Sequence, residues 1–237
     1  MNPVLSLLLA TAGFVGTHLL MSHPLRAGLV ARLGERGFQG VYSLVSILFF
    51  LWMILAWRGA VPGAGGGAVL WHAPLWWWHV AAWLMIGPSV LLMGSLIGNP
   101  AMVSAPAASA MKPALGVYAV TRHPMMWAFM LWAVVHVTVY GSARNLIVAF
   151  GIFTLALAGS LGQDRKKEQL LGDSWRGWEA RTSYVPFAAL VSGKIPWRAL
   201  LPGWPALLAG LVLWAAATWW HAPLFVPWGR SFGPVPQ

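Results

Sequence analysis

Residues 3–21, PVLSLLLATAGFVGTHLLM, contain no Asp, Glu, Lys or Arg. A helix of about 20 such residues, at about 1.5 Å per residue, spans the roughly 30 Å hydrocarbon core of a bilayer. The pattern recurs at 38–57, 76–97, 118–140, 143–162 and 203–221, where Arg122 and Arg144 are the only such charges. Charged residues make up 8% of the chain, against about a quarter in a soluble domain, so the chain cannot cover itself with a charged surface. The sequence therefore predicts an all-α fold: one integral membrane bundle of about six transmembrane helices in a single domain, 1–237. The first stretch has no basic n-region and no small-residue cleavage site, which predicts a retained helix.

Basic residues orient the bundle. The segment between the first two stretches carries Arg26, Arg32 and Arg36, the next odd one Lys112 and Arg122, and the last Arg165, Lys166, Lys167, Arg176, Arg181, Lys194 and Arg198. Only Arg58, Arg144 and Arg230 fall on the other side. The positive-inside rule places the odd loops in the cytoplasm and both termini outside. The net charge of +10 is then explained by topology and by contact with anionic membrane lipid rather than by nucleic acid, for which no recognition module is present. On the outer side WHAP occurs at 71–74 and again at 220–223. With 17 Trp in the chain, both copies read as an interfacial aromatic belt, which assigns His72 and His221 no special role. The cytoplasmic segment 163–202 holds Trp175 and Trp178 three apart among charges and reads as an amphipathic helix on the membrane surface.

The chain has no Cys, which excludes disulfides, thiolate metal sites and thiol nucleophiles. The spans contain almost no acid, which argues against paired-carboxylate chemistry in the bilayer. Histidine remains: His18, His79, His123 and His136 lie in or at the ends of spans, where ionisable groups are functional candidates. His123 and His136 stand 13 residues apart in TRHPMMWAFMLWAVVH, 121–136, or roughly 20 Å along one helix, so they cannot share a metal atom. Depth alone pairs His18 with His123 and His79 with His136. Paired imidazoles from two helices are one way for a bundle to hold a b-type haem. Arg122 and His123, with Arg26, Arg32 and Arg36 across the loop, form a basic rim suited to carboxylate or phosphate groups of a cofactor. Met21, Met125, Met126 and Met130 read as packing.

Three stretches carry a resemblance: GTHLLMSHPLRAGLVARLGERGFQGVYSLVSI at 16–47, the Arg-His-Pro helix at 121–136, and DRKKEQLLGDSWRGWEARTSYVPFAALVSG at 164–193. In order and spacing they resemble the NnrU family of bacterial membrane proteins. The resemblance implies a multi-pass protein of the bacterial inner membrane, linked either to denitrification and nitrogen-oxide metabolism or to cis–trans isomerisation of a polyene. The second expectation comes from a family member, the ζ-carotene isomerase of plants and cyanobacteria, a membrane haem protein. Its ligands, carried over by motif, fall on His136 and His18, with His79 and His123 as alternates, and imply haem b and an apolar small-molecule substrate. The Cys that precedes the second ligand there is Ala133 here, which excludes a thiolate exchange. The Arg-His-Pro motif also resembles membrane methyltransferases of isoprenylcysteine or phospholipid. On that alternative Arg122, His123, Glu168 and Glu179 hold S-adenosylmethionine. A third expectation is a non-enzymatic haem- or lipid-binding partner of nitrogen-oxide reductases.

Overall fold

The computed structural model describes residues 1–102, 105 and 107–225; Arg230 and part of the loop 99–113 lie outside them. The helices are α1 (Pro3–Ser22), α2 (Arg26–Gly59), α3 (Leu75–Leu84), α4 (Ile86–Gly94), α5 (Val117–Val120), α6 (Pro124–Val139), α7 (Ala143–Leu171), α8 (Asp173–Arg181), α9 (Ala188–Val191) and α10 (Trp204–Phe225). Two strands, β1 (Val69–His72) and β2 (Tyr140–Ser142), and two 3-10 turns (Ala107–Met111 and Trp197–Leu200) complete the order.

Local chemistry sets the helix ends. The Asn2 side chain accepts from the amide of Val4 at 2.8 Å, with Pro3 at the first helical position of α1, where a missing N–H costs nothing. Pro124 opens α6 in the same way. α7 stops at Gly172, whose φ of 52° is easily reached only without a Cβ.

Among the described residues, four helical stretches are long and apolar enough to cross a membrane: Pro3–Ser22, Arg26–Gly59, Leu75–Gly94 and Ala143–Leu171. α6 has 16 residues, about 24 Å, which is shorter than the hydrocarbon core. α10 runs 22 residues. Packing passes from α2 to α1, then to α7, α6, α4 and α10. α1 and α7 run parallel: a Cβ on Gly151 would meet the Thr11 side chain, and one on Gly162 would meet the His23 ring at 2.5 Å. Small residues let these helices approach closely where no hydrophobic force drives them together in lipid.

Three expectations change. The segment between the first two spans is not a loop: α2 begins at Arg26, and only His23–Leu25 reverse the chain. α2 absorbs the change of direction at Gly34, with φ 69° and ψ 166°, a region open essentially to glycine alone. The fold is not purely helical, because β1 and β2 pair antiparallel with His72 opposite Tyr140 and Trp71 opposite Gly141. This ladder ties the segment between α2 and α3 to the end of α6, reinforced by the Trp71 indole N–H, which donates to the Val137 carbonyl at 2.9 Å.

The third change concerns 163–202. Trp175 and Trp178 do not lie on a membrane surface; they are 0% and 1% exposed. They fill a small core with Ala101, Ala110, Ala119, Leu190 and Ile195, drawn from segments far apart in the chain. α8 and α9 thus cap the end of the bundle at which α6 begins, the basic end. The ladder closes the opposite end, the strand end.

Candidate functional site

At the basic end the chain before α6 is zipped to the segment after α8. The Arg122 amide donates to the Ser183 carbonyl at 2.9 Å, and the Phe187 amide to the Val120 carbonyl at 2.8 Å. Thr121 Oγ1 and the Trp127 indole both donate to the Tyr184 carbonyl, at 2.7 and 2.8 Å. This frame aims Arg122 and His123 at Asp164 of α7. Arg122 donates from Nε and Nη2 to Oδ2 at 2.9 and 2.7 Å, and His123 donates from Nε2 to Oδ1 at 2.7 Å.

Glu179 lies 3.5 Å from Arg122. Its carboxyl is held above the usual range, first by partial burial and then by the nearby Asp164, while Arg122 pulls the other way. Tyr184 closes the cluster: its ring lies beside Arg122 and His123, and its hydroxyl meets Ser160 Oγ at 2.7 Å. The His123 side chain is 1% exposed and that of Arg122 15%. Neither residue is an open rim; both are already paired with carboxylates. Sequence reasoning passed over Asp164. The available signal was its place: an acid two residues beyond an apolar span in a chain with only five.

Arg26 and Arg32 do not join this cluster. Arg26 pairs with Glu35 at 2.7 Å, near Lys166, and Arg32 is exposed. Asp164 and Lys166 are two residues apart on α7, which turns them to nearly opposite faces.

The spanning histidines occupy two levels. His18 donates from Nδ1 to the Phe14 carbonyl at 2.7 Å and packs against Phe14 and Tyr42. The register that sets Thr11 beside Gly151 and His23 beside Gly162 puts His18 level with about Leu157. His136 is level with Asn145, whose amide donates to the His136 carbonyl at 2.9 Å. The two histidines therefore stand roughly 18 Å apart along α7. Two imidazoles on one metal atom have ring centres only about 6 Å apart, so this pair does not fit one iron. His79 is exposed on α3, at the same end as His136, since Trp77 hydrogen-bonds Thr138 at 3.0 Å.

What does lie beside His136 is His221, with ring centroids 6.3 Å apart. Each ring donates Nδ1–H to the carbonyl four residues earlier, His136 to Trp132 at 2.8 Å and His221 to Ala217 at 2.7 Å. That bond fixes the tautomer and leaves the ring's lone pair on Nε2. Trp132 also stacks on His136 at 4.1 Å.

An apolar helical bundle with a buried ion-pair cluster at one end and two imidazoles at the other defines a membrane protein with two separate polar sites. The chain belongs to the NnrU family, whose pattern, described as NnrU protein, matches residues 6–228. It is similar to the 15-cis-zeta-carotene isomerase of Arabidopsis thaliana, 23% identical over 172 residues, covering 68% of this chain and 44% of that protein. It is also similar to the enzyme of the same name from Zea mays, 29% identical over 79 residues, covering 33% of this chain and 22% of that protein. The chain thus spans less than half the length of these relatives. No solved structure matches.

Proposed function

We propose that this protein is a six-span protein of the bacterial inner membrane, with both termini outside, that binds haem b through His136 and isomerises a cis double bond of a long apolar polyene. The observation that carries the reading is the environment of His136. In a family that contains polyene isomerases, this residue presents an imidazole whose Nδ1–H is already committed to Trp132. Trp132 orients the ring, Asn145 fixes the last turn of α6 beneath it, and the apolar helices give a carotenoid-like substrate access from the lipid. Bound here, haem would supply an iron centre whose electronics the His136 imidazole would tune. The basic residues of the odd loops support the orientation.

The test is an optical spectrum of the detergent-purified protein, paired with conversion of the 15-cis double bond of ζ-carotene to trans. The reading expects a Soret band and turnover, both lost in His136→Ala. A colourless preparation that takes up no haem would sink it. Haem binding without turnover would favour the partner of nitrogen-oxide reductases.

A second reading has its own support. The structure brings Arg122, His123 and Glu179 together, three of the four residues expected to hold S-adenosylmethionine. Glu168 instead pairs with Arg176 at 3.5 Å. Binding of the adenosyl cofactor by a colourless protein would favour this reading, under which Asp164 must release its partners.

A further inference from the structure

Accepting the haem reading, we infer that the second residue that would hold the haem is His221 of α10, and that His136 and His221 form a two-imidazole site at the strand end. Helix phase brings His221 inward. Gly210, Trp214 and His221 fall on one stripe of α10 at four- and seven-residue spacing. A Cβ on Gly210 would come within 2.7 Å of Val90 on α4. The Trp214 indole donates to the Ala82 carbonyl of α3 at 2.6 Å and packs on Trp83. The stripe is therefore the packed face of α10, and His221 is its next member after Trp214.

The geometry suits one metal atom. Two metal–nitrogen bonds of about 2.0–2.1 Å, with each ring centre about 1 Å beyond its nitrogen, set the ring centres about 6 Å apart. The observed centroids are 6.3 Å apart. Both Nδ1 atoms are donors to their own helices, so both rings offer the same Nε2 atom. Among the described residues no group of three or more His, Asp or Glu side chains could complete a metal site. Two nitrogens alone suit a metal that carries its other ligands with it, as porphyrin iron does, and not a closed tetrahedral zinc.

The test uses the full-length protein in detergent, titrated with ferric protoporphyrin IX. The wild type is expected to give a six-coordinate low-spin spectrum. His221→Gln and His221→Ala are expected to become high-spin, with the low-spin spectrum restored by added imidazole, while His18→Ala stays low-spin. A low-spin wild type whose His221 variants are unchanged overturns the pairing and leaves the haem reading standing. Loss of the low-spin form in His18→Ala but not in His221→Gln overturns it equally. A wild type that binds no porphyrin overturns both.

Discussion

Asp164 Oδ1 lies 2.7 Å from Nε2 of His123, so one carboxylate of α7 holds the residue just before α6. Its other oxygen accepts two bonds from Arg122. The side chains of Asp164 and Arg122 are 12% and 15% exposed, which places this pair among those costly to break from one side. Asp164→Asn keeps the shape but leaves the Arg122 charge without its closest counterion. We expect a loss of about 3–5 kcal/mol in unfolding measured in detergent. The double variant Arg122→Met, Asp164→Leu is expected to lose less, because no half-pair remains. A double variant no better than Asp164→Asn would show that the cluster does more than balance charge.

Gly34 carries the bend of α2 with φ 69° and ψ 166°, and an added Cβ would meet no atom within 4 Å. The cost of Gly34→Ala is therefore backbone strain alone, about 1–3 kcal/mol. Gly28→Ala, in the same helix and equally free of contacts, is expected to be neutral or mildly stabilising through helix propensity. Thermal unfolding of the two variants side by side separates strain from packing.

Trp178 anchors the cap at 1% exposure, surrounded largely by alanines that cannot swing in to fill a void. Trp178→Ala is expected to cost about 3–5 kcal/mol. The loss should appear first as protease sensitivity of 163–202 and not of the spans.

Four of the six expected spans are legible because length and charge alone decide them, whereas α6, with 16 residues, is too short by the same measure. Arg122, His123 and His136 stand out as candidates because ionisable groups are rare among apolar ones. Their partners do not. Asp164 is 41 residues from His123, and its role depends on α7 lying alongside α6. His221 was masked by the repeated WHAP: the first copy runs out of the end of β1, where His72 packs on Tyr140, whereas the second begins within α10, where helical phase sends His221 toward His136. Trp175 and Trp178 mimicked an amphipathic surface helix because their spacing is helical. The core they enter is assembled from four separate segments, which no local pattern reveals.

His23 gives the bundle a pH dependence. It ends α1 and packs on Gly162 of α7, where burial and then Lys166 hold its imidazole below the ordinary value of about 6.5. The folded protein therefore binds this proton less readily than the unfolded chain. The contribution is fully present above about pH 6.5. As pH falls below that value the unfolded chain takes up the proton first, and stability drops until the lower folded pKa is passed. Melting in detergent across pH 7.5 to 5 should show this acid-side loss, and His23→Leu should flatten it. Gly162→Val, which drives the ring from its seat, should lower stability at every pH and weaken the dependence. An unchanged slope in His23→Leu would assign the effect to another group.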